Sequence, residues 1–175
     1  MNEARAGGDD MPCVFRAALA ALLVVSCGKV EPPRGPGLPP CKRDPASTGC
    51  TVTWSGSDSG SSSCGVFVTA SSASGPWQWW LNGSSGPLLS AGVGLASTPS
   101  AGQTFTLDQI ANGGILLTRD QSASWTANSR PILGDLLLRV DEVIPGSRDI
   151  HGSLAGSLVP QGTAPGPGVA LCATF

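Results

Sequence analysis

From Thr48 to the end of the chain, apolar and polar positions alternate with a period of two. Turn residues interrupt the pattern about every ten positions. Cys50, Val52 and Trp54 alternate with Thr51, Thr53 and Ser55. After a turn at 56–60, Cys64, Val66, Val68 and Ala70 alternate with Gly65, Phe67 and Thr69. The same reading places strands at 76–81, 88–96, 103–107, 114–119, 132–144, 149–159 and 168–175, with one helical turn at 108–110. The pattern predicts eight or nine short strands and no helix of normal length. Two packed sheets are the usual way to bury so many half-apolar strands. The expected fold is therefore all-β, an antiparallel β-sandwich over residues 49–175, with a small barrel as the alternative.

The first part of the chain follows another pattern. A single cation, Arg16, precedes an uncharged apolar run from Ala17 to Val25. As a helix this run spans about 15 Å, half the hydrocarbon core of a bilayer. It therefore reads as the apolar region of a signal peptide covering residues 1–26, not as a membrane span. The run ends at Val24-Val25-Ser26-Cys27-Gly28, which resembles the bacterial lipobox. That resemblance implies a diacylglyceryl thioether on Cys27, which becomes the mature N-terminus. Gly28 is not the Asp that retains lipoproteins at the inner membrane, so the resemblance points to the outer membrane. Residues 1–10 are acidic where a signal peptide should be positive, and Met11 is the better start. Cys13 is then discarded with the signal. Five of the thirteen residues from Gly28 to Pro40 are Pro, which favours an extended tether, read here as residues 27–48.

Composition narrows the function. Gly (24) and Pro (15) are too abundant for a helical bundle. Ten Lys+Arg against twelve Asp+Glu exclude the dense positive surface that nucleic acid requires. Four cysteines, Cys41, Cys50, Cys64 and Cys172, remain in the body of an exported chain and allow three disulfide connectivities. A hairpin turning near position 57 sets Cys50 opposite Cys64. Cys172 lies off the apolar row of its strand, free to meet Cys41. Register therefore favours Cys50–Cys64 with Cys41–Cys172. A zinc site is the rival, but no CxxC pair is present and the single His is remote. No cofactor or metal is expected.

The second half carries 134-Gly-Asp-Leu-Leu-Leu-Arg-Val-Asp-Glu-Val, then 151-His-Gly-Ser-Leu-Ala-Gly-Ser-Leu, then 168-Gly-Val-Ala-Leu-Cys-Ala-Thr-Phe. With the Cys50/Cys64 hairpin, these segments resemble a broad group of small bacterial β-sandwich lipoproteins. The resemblance runs from Cys50 onward. It implies fold and location, and it brings no activity with it. Ser153 stands where that group commonly has Thr, and Cys172 where it commonly has a polar residue.

Two constellations are candidates for chemistry. A hairpin turning near position 146 sets Asp141 opposite His151, with Ser153 two residues on along the same face. This suggests a hydrolase triad, yet no GxSxG is present and a mid-strand Ser has its backbone committed to the ladder. The plainer reading is a solvated strand face. Trp77-Gln78-Trp79-Trp80 is the densest aromatic feature. Trp77 and Trp79 share one face of a strand and Trp80 takes the other. Core packing of two of them, with the third at a sheet edge or an interface, is the plainer reading, and all three remain candidates for stacking on sugar rings as the alternative. The expected function is a non-catalytic cell-envelope lipoprotein, structural or interacting. It would be held to the membrane by its lipid and have an envelope protein or a glycan as partner. A carbohydrate-binding module is the alternative and a hydrolase the more remote one.

Overall fold

The computed structural model describes residues 35–70, 77–84, 88–119, 123–145, 147 and 149–175, apart from the side chains of Thr69 and Ala70. The expected signal peptide, with Met11 and Cys13, and the expected lipidation site Cys27 lie outside the described residues.

The strands are β1 (Cys50–Gly56), β2 (Gly60–Ala70), β3 (Trp77–Gly83), β4 (Leu88–Leu95), β5 (Thr104–Thr106), β6 (Asn112–Thr118), β7 (Ala123–Ser129), β8 (Ile132–Leu133), β9 (Asp135–Val143), β10 (Ile150–Gly162) and β11 (Val169–Thr174). The only helical element among the described residues is a 3₁₀ turn, Leu107–Gln109. All pairings are antiparallel.

The expected sandwich is corrected to a closed barrel of eight strands with extra strands attached. The ring runs β1-β2-β3-β4-β6-β7-β10-β11 and returns to β1. Each strand pairs with the next ring strand along the chain, so one sheet curls onto itself and its edges disappear. Closure depends on the length of β10, which changes partner part-way. Ile150–Ser157 pair with β9, and Val159–Gly162 pair with β7. Strand β5 extends the β9 side and β8 extends β7. The 3₁₀ turn touches both β7 and β9, and its Leu107 and the following Ile110 are buried. Alternation alone could not separate sandwich from barrel, because both bury every second residue of each strand.

The sequence reading missed β7. Ala123, Trp125 and Ala127 alternate with Ser124, Thr126 and Asn128, but two alanines weaken the apolar signal. It also read 132–144 as one strand, which the chain breaks at Gly134.

The barrel interior is a packed core. Trp77, Trp79 and Trp125 are fully buried with Leu81, Leu117, Leu154 and Leu171, and the Trp79 and Phe175 rings lie 4.7 Å apart. Such bulk fits because small residues face it. A Cβ on Gly156 would come within 2.5 Å of Ile115 Cδ1. The indole N–H groups of Trp54, Trp79 and Trp125 are buried without a hydrogen-bond acceptor among the described residues. Each costs about 1–3 kcal/mol. Burying about 200 Å² of aromatic surface contributes about 5 kcal/mol, so packing outweighs the unpaired donor.

Both expected disulfides are present, Cys50–Cys64 across the first hairpin and Cys41–Cys172 between the N-terminal segment and β11. The second draws part of the presumed tether onto the barrel. Ser153, Ala155 and Ser157 point outward from β10, yet they are only 2%, 3% and 1% exposed. The segment 35–41 runs along this face. The Gly37 N–H donates to Ser157 Oγ at 3.0 Å, and Ser153 Oγ donates to the Cys41 carbonyl at 3.2 Å. A Cβ on Gly35 would fall 2.4 Å from Ser157 Oγ, so the approach needs glycine there. Residues 35–41 are thus a strap fixed to the barrel.

Candidate functional site

The side of the barrel away from the strap carries a shallow concavity. In the ring of eight, β3 stands four places from β10 in either direction, so Trp80 lies opposite the strapped strand. Register aligns Phe67, Trp80, Gly92, Gly114 and Asn128 in one outward row across β2, β3, β4, β6 and β7. Four strand spacings make this row about 19 Å wide.

Glycines form the floor. A Cβ on Gly92 would lie 2.6 Å from Trp80 Cζ3, so the six-membered ring of Trp80 covers that position. A Cβ on Gly94 would lie 2.2 Å from Asn112 Oδ1, so the Asn112 amide covers the neighbouring one. Gly113 has φ of +149°, and a Cβ there would meet the Gly92 carbonyl at 2.2 Å. The β4–β6 contact therefore depends on glycine. The result is a shallow groove of about 500 Å³ lined by Trp80, Ser90, Gly92, Asn112 and Leu116 among others. Among the described residues, no Asp, Glu, Lys, Arg or His lines it. Phe67, Trp80 and Leu116 are 58%, 45% and 39% exposed.

The structure separates the three candidate stacking residues. Trp77 and Trp79 fill the core and cannot reach a ligand; this part of the expectation is corrected. Strand alternation sends them inward with Leu81, and of the three tryptophans Trp80 alone faces out. Phe67 opposite it was not singled out from the sequence, although the same alternation sends it outward.

The triad constellation is not assembled as expected. A bulge between His151 and Gly152 shifts the register, so His151 pairs with Glu142 and Gly152 with Val140. His151 Nδ1 lies 3.0 Å from Glu142 Oε2, and Asp141 instead accepts from Arg139 Nε at 2.8 Å. Ser153 is buried under the strap with its hydroxyl donating to Cys41. Placing Ser153 on the exposed face with His151 is thus corrected: the strap, invisible to strand periodicity, covers it.

A second concavity, of about 450 Å³, includes Arg43, Cys50, Cys64, Asp149, His151 and Phe175. Arg43 Nη2 donates to the Ser47 carbonyl at 2.8 Å, and its Nε is buried without an acceptor among the described residues. No group of three or more His, Cys, Asp or Glu able to hold a metal ion forms among the described residues. No family model, curated protein or solved structure matches the chain.

Proposed function

We propose that this chain is an exported, non-catalytic lipoprotein of the bacterial cell envelope, anchored through Cys27 and presenting its barrel as a binding module. The strap carries the reading. The segment that follows the lipobox-like sequence is fixed to the barrel by Cys41–Cys172, and with Cys50–Cys64 this makes two disulfides in a small domain. Such bonds persist in oxidising compartments outside the cytoplasm. Only residues 28–34 then separate the lipid-bearing cysteine from the first residue of the strap. Seven residues reach about 25 Å at full extension, so the barrel stays close to the membrane surface. The strapped side is the tethered side, and the outer membrane is the expected location.

The non-catalytic reading rests on the fate of the triad constellation. Ser153 is covered and hydrogen-bonded to the strap, and His151 is held by Glu142 on the surface. A nucleophile needs access and an aligned base, and Ser153 has neither.

Replacing Cys27 tests the anchor. The full chain should partition into the detergent phase and sediment with membranes, and Cys27→Ala should move it to the soluble fraction. Identical partitioning of the two would refute the lipoprotein reading.

A further inference from the structure

We infer that the Phe67–Trp80 face binds an uncharged polysaccharide, laid across β2 to β7 with sugar rings stacked on Trp80. This deepens the reading of the barrel as a binding module and names its ligand class. It does not depend on the lipid anchor.

Three features point to that chemistry. The first is charge. No ionisable side chain lines the groove among the described residues, so none of them would compensate a phosphate, a carboxylate or an ammonium group taken out of water. A neutral ligand avoids that cost. The second is the combination of exposed aromatic surface with small polar groups. Trp80 and Phe67 are cross-strand neighbours, and Ser90 and Asn112 line the groove with Trp80. Pyranose rings present flat C–H faces to an aromatic ring and hydroxyl or acetamido groups at their edges. A rigid aromatic with a polar rim is the matching surface.

The third is shape. Gly92 lets the Trp80 ring lie flat against β4 and Gly94 lets the Asn112 amide lie beside it, so an aromatic face and an amide are presented together, and a row about 19 Å wide is long enough for an oligosaccharide. A lipid surface fits less well. Anionic headgroups would need Lys or Arg at the rim, and the groove has none among the described residues.

The test uses the full chain in a detergent without a sugar headgroup, with chitin beads and hexa-N-acetylchitohexaose as probes. The chain should be retained on chitin, and the hexasaccharide should perturb its tryptophan fluorescence saturably. Trp80→Ala should weaken binding at least tenfold while leaving the melting temperature nearly unchanged. Ser90→Arg, which fills the groove and retains Trp80, should do the same and serves if the first variant folds poorly. Phosphatidylglycerol vesicle flotation and sedimentation equilibrium run alongside.

No retention on chitin and no response up to about 10 mM hexasaccharide overturns the inference. So does binding that survives both substitutions, or a Trp80-dependent association with vesicles or with a second copy in place of sugar binding. Failure of the anchor is read separately, from the Cys27→Ala fractionation, so the two proposals fall independently.

Discussion

The two opposite outer faces of the barrel are built from similar residues and end in different states. On β10, Ser153, Ala155 and Ser157 point outward and are buried, because the strap 35–41 lies on them. On β4, Gly92 and Gly94 are buried too, but beneath the Trp80 ring and the Asn112 amide, while the neighbouring Ser90 and Gly114 stay half-buried beside the groove. A solvated strand face usually carries long polar side chains. A run of small ones makes room for something to approach the backbone. On one side that object is the protein's own N-terminal segment. On the other it is an aromatic ring with a groove beside it.

The largest effect expected from breaking this contrast comes from freeing the strap. Cys41–Cys172 closes a loop between positions 131 residues apart, for which chain entropy predicts about 4–5 kcal/mol of stabilisation. The Cys41→Ser, Cys172→Ser pair should lower the unfolding free energy by that order in a denaturant titration and raise the exposure of β10 to hydrogen exchange. A change below about 1 kcal/mol would mean that the strap is held by other contacts. In contrast, Cys50→Ser with Cys64→Ser should leave Cys41–Cys172 intact, with no free thiol detected after denaturation.

The same substitution on the two faces should give unequal answers. Ala155→Leu adds bulk beneath the strap and should cost about 1–3 kcal/mol. Ser90→Leu adds similar bulk to the open groove and should stay within about 0.5 kcal/mol. Equal costs, read from thermal melts of both variants, would remove the distinction between covered and open faces.

Smaller effects sharpen it. Ser157→Ala removes the acceptor of the Gly37 N–H and should cost about 1 kcal/mol. Trp80→Ala should change stability by about 0.5 kcal/mol, well below the about 3–5 kcal/mol expected for its buried neighbour Trp79→Ala.

Period-two alternation made most of the strands legible in the sequence, and with them the Cys50–Cys64 register and the split of the tryptophans between two faces. It did not reveal closure, because an inward row looks the same in a barrel and in a sandwich. What closes this barrel is a change of partner along β10, a tertiary choice with no local pattern. The β9–β10 bulge was hidden for the same reason, and a one-residue shift was enough to exchange Asp141 for Glu142 opposite His151. The strap was masked by composition. Pro and Gly at 35–41 read as a free linker, although the small outward residues of β10 were a visible sign that something covers that strand. The groove had a similar sign in Gly92, Gly94 and Gly114, whose role emerges only once register places them beside Trp80.

We propose an anchored, disulfide-locked domain on the outside of the cytoplasmic membrane. Intact-mass measurement of the full chain purified from bacterial envelopes tests it most directly, combined with thiol alkylation under denaturing conditions. The account predicts a polypeptide that begins at Cys27, carries the added mass of a lipid on that residue, and offers no free thiol for alkylation. An unlipidated chain that retains Cys27 within an uncleaved N-terminus, with Cys41, Cys50, Cys64 and Cys172 all alkylated, would contradict it.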